Sequence, residues 1–418
     1  MIQAHFPSRV LCYSALGATL LPFAAQADFI DDSSANLDLR NFYQLRDFRQ
    51  TTAPQSQAGN WSQGFVLRVQ SGFTDGPLGF GLDAMGLLGV KLDSGRGRSN
   101  DGTLPFGPTS REPVDDYSHA GVTAKARYSK TLLNLGILTP QLPVVFRDDT
   151  RLLPQTFDGA MLTSNEIDRL TLTAGQLWKS RTRESAGSDD MYIMGRSKAF
   201  ASDEFNLGGA SYAFTPDFTA SYYYAQLQGI YQQQYLGLVH TLPLGEGLSL
   251  RSDLRYFDSS EDGAAISGPV DNRNFNGMLT LKAGAHAFSA AYQKMIGSDA
   301  FPTLNGYTTP YVHNLMTIQT FTRPQEKSWQ LRYDYDFAAL GVPGLSLMTR
   351  YTNGDDIDRG AGKADDSEWE RDTDLAYVIQ SGPFKDVSFK WRNAAYRSRY
   401  SSDIDENRFI VNYTLKLW

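Results

Sequence analysis

The sequence predicts an all-β protein, a transmembrane antiparallel β-barrel. Three observations lead there. Segments of alternating apolar and polar residues recur along most of the chain, and the polar side of many of them is basic. No apolar run after Ala27 reaches the roughly 20 residues needed for a membrane-spanning helix. Short turns alternate with long polar stretches, the habit of a barrel whose two rims differ. Successive strand side chains point to opposite faces of a sheet, so such segments are apolar outside and polar inside when the sheet closes.

The first element is an export signal over residues 1–27. Arg9 gives a positive start, residues 10–25 are apolar, and Ala25-Gln26-Ala27 is a small-residue cleavage site. A membrane anchor fits less well, because the apolar run is short and holds Gly17 and Pro22. Residues 28–418 then form one barrel domain. Cys12, the single cysteine, falls in the export segment, leaving the mature chain without thiol or disulfide chemistry. The formal net charge of −7 argues against a nucleic-acid partner.

Strand-like segments follow at residues 37–46, 61–73, 78–92 and 121–129, then at 247–257, 275–283, 328–337, 345–352 and 373–380. The last two are 387–398 and 409–416. Gly79, Gly81 and Gly86 miss the spacing of a phosphate loop and read as barrel bends. Residues 341–344 and 382–386 are short turns, whereas 353–373, with Asp355, Asp356, Asp358, Asp365, Asp366, Glu368 and Glu370, reads as a long acidic loop. Tyr222, Tyr223 and Tyr224 must straddle both faces of a strand. No 20–50-residue repeat marks a propeller or solenoid.

The basic residues keep to the polar side. Lys390 and Arg392 lie opposite Phe389 and Trp391, and Arg408 has the parity opposite Phe409, Val411 and Tyr413. Arg40, Arg68, Lys125, Arg127, Arg251, Arg255, Arg332 and Arg350 repeat the arrangement as a basic ladder. A lipid-facing Arg or Lys at mid-bilayer costs roughly 2–4 kcal/mol, so inward segregation is required of any barrel. Lumen charges that merely balance one another are the alternative, with Asp253, Asp334, Asp336 and Asp374 as partners. Lys390, Arg392 and Arg408 argue against it, since the two consecutive segments that carry them show no acid on the polar face. A guanidinium also offers a planar fork for a carboxylate.

Residues 142–156 form a loop of unusual composition. Pro140, Pro143 and Pro154 exclude a central strand, while Leu142, Val144, Val145, Phe146, Leu152 and Leu153 are too apolar for an exposed tip. A loop packed inside the barrel reconciles both. The mature histidines, His119, His240, His286 and His313, show no metal-ligand spacing. Ser118 and His119 are adjacent in a strand, so their side chains diverge and make no nucleophile–base pair. No enzyme activity, metal or cofactor is implied.

Several blocks, in order, resemble the OprD-like outer-membrane carboxylate channels. They include Phe29-Ile-Asp-Asp-Ser33, Leu39-Arg-Asn-Phe-Tyr43, Trp61-Ser-Gln-Gly-Phe65, Leu152-Leu-Pro-Gln-Thr156, Trp329-Gln-Leu-Arg-Tyr333 and Val378-Ile-Gln-Ser-Gly-Pro383. Leu236-Gly-Leu-Val-His240, Ser367-Glu-Trp-Glu-Arg371 and Glu406-Asn-Arg408 are most similar to the aromatic-acid branch, which includes benzoate and vanillate channels of the BenF-like type. The resemblance implies an 18-stranded barrel in a Gram-negative outer membrane, bounded by lipid and lipopolysaccharide, working as a monomeric pore or weak homotrimer. It implies an inward-folded third loop, with Arg147, Asp148, Asp149 and Arg151 as constriction residues. Arg392 and Arg408 fall where the family places its constriction arginines, and Lys390 beside them. Small anionic solutes, carboxylates such as benzoate, would pass down the ladder. A plugged structural or adhesive barrel, and a channel for basic amino acids, are the alternatives.

Overall fold

A computed structural model describes residues 29–50 and 52–418; the expected export segment, 1–27, lies outside the described residues. Twenty strands occur among them. In chain order they are β1 (Ser34–Phe48), β2 (Gln57–Gln70), β3 (Leu78–Asp93), β4 (Asp116–Tyr128), β5 (Thr131–Leu138), β6 (Gln141–Leu142), β7 (Val145–Phe146), β8 (Thr156–Ser164), β9 (Leu170–Arg181) and β10 (Phe205–Thr215). There follow β11 (Phe218–Leu227), β12 (Tyr231–Gly245), β13 (Leu248–Glu261), β14 (Asp271–Ala283), β15 (His286–Ile296), β16 (Lys327–Asp336), β17 (Leu345–Ile357), β18 (Asp366–Val378), β19 (Ser388–Ser398) and β20 (Ile404–Lys416).

Eighteen of these make one antiparallel sheet. Each strand pairs with its chain neighbour, except that β5 passes over β6 and β7 to pair with β8. The sheet closes where β1 meets β20, with Asn36 opposite Lys416 and Phe48 opposite Ile404. β6 and β7 are a separate hairpin inside loop 3 (residues 139–155). Closure leaves no strand edge unpaired, which a lipid environment demands.

The alternation read from the sequence is the in–out alternation of the barrel. Phe80, Leu331, Phe389 and Phe409 stand exposed on the outer wall, while Ser62, Gln330, Glu370 and Arg408 are buried within. Tyr222 faces out and Tyr223 faces in, as their adjacency requires. One rim carries short turns such as 129–130 and 284–285. The other carries loop 2 (94–115), loop 3, loop 4 (182–204) and loop 7 (297–326).

The stretch 353–373 is not the acidic loop expected from its composition. β17 runs on to Ile357 and β18 begins at Asp366, so only 358–365 lie between them. Glu368 and Glu370 are buried inside the barrel rather than solvated.

The lumen is filled unevenly. On the side of β8–β15 an apolar cluster joins Val144 and Val145 of loop 3, Phe205, Tyr235 and Phe257 of the wall, and Phe301, Leu304 and Val312 of loop 7. A second, smaller cluster sets Leu152 and Leu153 of loop 3 against Phe42, Val66, Leu87 and Tyr117. Loop 3 comes close to the wall because β2 and β3 are glycine at the contact. A Cβ at Gly64 would lie 3.0 Å from the Leu152 carbonyl oxygen, and one at Gly89 would lie 3.1 Å from Leu152 Cδ2. The free passage is thereby pushed toward the charged wall of β16–β20 and β1–β3.

Candidate functional site

Loops 2, 3, 4 and 7 meet the charged wall around a cavity of about 440 Å³. One side is basic: Arg46 from β1, Arg151 from loop 3, Arg183 from loop 4, Arg392 from β19 and Arg408 from β20, with Asp101 and Asp148 among them. Loop 7 supplies an apolar side with Pro310, Leu315, Met316 and Ile318.

Arg408 is not a free carboxylate grip. It is 1% exposed, and every guanidinium nitrogen has a partner. Nε donates to Glu406 at 2.5 Å, Nη1 to the Thr150 carbonyl at 3.3 Å and Nη2 to the Thr317 carbonyl at 3.2 Å. It clamps loop 3 to loop 7. The expectation that no acid shares the polar face is corrected here. β20 starts at Ile404 rather than at 409, and the extra alternation places Glu406 on the Arg408 side. Glu406 also receives Arg46 at 2.7 Å.

Arg392 is likewise paired. Its Nε lies 2.6 Å from Asp374 Oδ1 on the neighbouring strand β18, and Nη2 bonds the other carboxylate oxygen. Nη1 has no partner among the described residues. Lys390, one step toward the short-turn rim, has no carboxylate within 4 Å among the described residues.

The loop 3 candidates divide. Asp148 is 3% exposed and is held by Arg183 at 2.8 Å and the Thr150 hydroxyl at 2.8 Å. Arg147 bonds the Thr139 carbonyl at 3.0 Å and lies 3.7 Å from Asp149, which itself accepts from Arg40 at 2.8 Å. Arg151 stands apart. It is 6% exposed, yet no carboxylate lies within 4 Å among the described residues. Its bonds go to neutral oxygens, from Nη1 to Thr150 and from Nε to the Asp101 carbonyl, and Nη2 is left over. Burial, then the charges of Arg408 and Arg183, push its pKa well below the ordinary arginine value. A buried cation with no carboxylate in contact is unfavourable; the more distant charge of Glu406 offsets part of this, and an anion in the cavity relieves more of it.

Most ladder residues are also paired. Arg68 meets Asp38; Lys125 meets Asp83 at 2.6 Å; Arg332 meets Asp334 at 2.7 Å. Arg251 and Arg255 share Asp253 at 3.6 and 2.9 Å, and Arg350 meets Asp372 at 2.8 Å. Arg127 packs its guanidinium 4.2 Å from the Phe73 ring centre and meets no acid among the described residues. Arg255 and Arg350 fix loop 7 as well, donating to the Tyr311 and Leu315 carbonyls at 3.2 and 2.9 Å. Balanced charge is therefore the rule along the wall. Arg127, Arg151 and Lys390 are the exceptions among the candidate cations.

Sequence reasoning missed Arg46, Arg183, Glu406 and all of loop 7. Arg46 shares the parity of Arg40, and that signal is readable; Arg183 lies in a loop with no period. Ser118 faces outward and His119 inward, as expected.

A family model described as outer membrane porin, OprD family, matches residues 27–417. Among solved structures, OpdL of Pseudomonas aeruginosa is 76% identical, with a TM-score of 0.85, covering 93% of this chain and 100% of that one. A BenF-like porin from Pseudomonas fluorescens Pf-5 is 42% identical, TM-score 0.90, with coverage of 93% and 100%. OpdK of Pseudomonas aeruginosa, solved with vanillate, is 37% identical, TM-score 0.87, with the same coverage.

Proposed function

The chain belongs to the OprD family of outer-membrane porins, and on that premise we propose that it is a passive channel for small carboxylates, with monocyclic aromatic acids such as benzoate preferred. The family sets it in a Gram-negative outer membrane as a channel and not an enzyme. The observation that carries the substrate reading is Arg151, a buried guanidinium beside a cavity with no carboxylate in contact among the described residues. A carboxylate at ~4 Å from it gains about 4 kcal/mol at an effective dielectric near 20. Leu315 and Ile318 give an aromatic ring an apolar surface across the same cavity. The similarity to a BenF-like porin and to a porin solved with vanillate supports this choice.

The anion enters among Arg46, Arg151 and Arg392, moves to Lys390 and Arg40, and leaves past Arg68, Lys125 and Arg127. Arg147 and Asp148 shape loop 3 and do not touch it. We read residues 1–27 as the export signal, the pore as monomeric, and the outer aromatic rows as facing lipid and lipopolysaccharide. The test is benzoate uptake into liposomes by the Arg151→Ala variant. The expected result is a fall of at least about tenfold, the equivalent of ~1.4 kcal/mol, with the barrel still inserted. Uptake equal to the unmodified channel would end the reading.

A further inference from the structure

We propose that Asp374 is a release residue, an internal carboxylate that competes with the substrate for Arg392 and so sets how fast the channel turns over. This rests on the carboxylate reading above and goes beyond it, since it assigns a role to an acid rather than to a cation.

The geometry is that of an occupied fork. Asp374 takes Nε and Nη2 of Arg392 with its two oxygens and leaves Nη1 open beside the cavity. A passing carboxylate finds two of the five N–H donors held, the side-on pair of Nε and Nη2, and the end of the fork open. Capture on the side-on fork of Nε and Nη2, a bidentate and therefore strong mode, needs Asp374 to let go. Asp374 is tethered on the adjoining strand, opposite Arg392 in register, so its effective concentration at the guanidinium is high. It recloses on Arg392 and displaces the guest toward Lys390. Conduction requires sites that bind well enough to admit a solute and weakly enough to pass it on.

The pair is placed for exchange, not for burial. The Arg392 and Asp374 side chains are 21% and 9% exposed, against 1% and 0% for Arg408 and Glu406. The second pair is a clamp; in the first, Arg392 keeps a nitrogen open toward the cavity. Asp374 also lies within electrostatic reach of Lys390 and Arg332. Removing its charge strengthens the hold of that whole stretch of wall on an anion.

The experiment is a concentration series of benzoate flux through the Asp374→Asn channel in planar bilayers or liposomes. The expected result is a split: the half-saturating concentration falls at least about fivefold and the saturating flux falls by a similar factor. Asp374→Glu restores both. A purely structural role for Asp374 predicts lowered flux with half-saturation unchanged or raised, and that result overturns the proposal. If Asp374→Asn inserts poorly, Asp374→Ser supplies the same comparison, and an unshifted half-saturation there overturns it equally. The two readings fail separately. Loss of the benzoate dependence in the unmodified channel, or indifference to Arg151→Ala, removes the carboxylate reading. Saturable, Arg151-dependent flux that ignores Asp374 removes only the release role.

Discussion

Loop 3 and the tip of loop 7 both fold into the barrel and face each other across the cavity, but opposite forces hold them. Loop 3 is seated by apolar burial: Val145, Leu152 and Leu153 are 0%, 1% and 3% exposed against the wall. The loop 7 tip hangs on carboxylates. Thr317 gives its amide and hydroxyl to Asp372 at 3.2 and 2.8 Å, and the Ile318 and Gln319 amides go to Glu370 at 2.8 and 2.9 Å. Both acids are fully buried. The first arrangement leans on apolar burial, with the ion pairs Arg40–Asp149 and Arg183–Asp148 beside it, and so responds less to salt and pH. The second depends on two buried acids accepting those amides and on Arg350 staying beside them.

The largest effect that separates the loops is expected from Arg350→Met. It leaves Asp372 buried without its cation, and breaking such a pair from one side costs about 3–5 kcal/mol. Amide hydrogen exchange should accelerate at Thr317, Ile318 and Gln319 while loop 3 stays protected. Equal exchange in both loops would dissolve the contrast. Leu152→Ala comes next. Loss of a buried leucine typically costs about 2–5 kcal/mol, so exchange should rise in loop 3, to the same degree at low and high salt. A salt-dependent response there would mean that Arg40 and Arg408, not the apolar contact, seat the loop.

The same contrast explains what is legible in the sequence. Loop 3 announces itself through prolines and apolar residues that no exposed loop would carry. The loop 7 tip, Leu315-Met-Thr-Ile-Gln-Thr320, mixes apolar and polar residues with no period that marks it as folded inward. Its anchors are on another strand, and a single sequence does not show which acid meets which amide. The outer wall is legible wherever one face is polar. It is not legible between residues 131 and 245, where Phe205, Leu207, Tyr223, Ala225 and Tyr235 point into an apolar cluster. Strands apolar on both faces lose their period of two. The basic ladder shows in the sequence, but its charge balance does not, because the partner of Arg392 is across a strand pair and Glu406 precedes the segment whose apolar alternation is clear. One signal goes the other way: Glu368, Glu370, Asp372 and Asp374 occupy alternate positions, which is a strand face and not a loop.

That acidic face yields the smallest and most discriminating test, where loop 7 rejoins the wall. Glu326 is buried beside Glu368, and neither Oε1 atom has a hydrogen-bond partner among the described residues. Glu368 accepts from the Tyr396 hydroxyl at 2.5 Å and from Tyr400, and Arg323 lies 3.8 Å away. Burial, then the charge of Glu368, raises the Glu326 pKa well above the usual carboxylate value. The folded state therefore holds a proton that the released loop gives up. The seating is complete below the ordinary glutamate pKa and weakens as pH rises toward the raised value. Protection of the loop 7 tip, taken against the intrinsic base-catalysed exchange rate, should fall between acidic and mildly alkaline pH, since each pH unit by which the carboxyl is raised is worth about 1.4 kcal/mol. Glu326→Gln, which keeps the shape and removes the titration, should flatten that profile. Loop 3 should show no such slope in either protein. A slope that persists in Glu326→Gln would show that Glu326 is not its source.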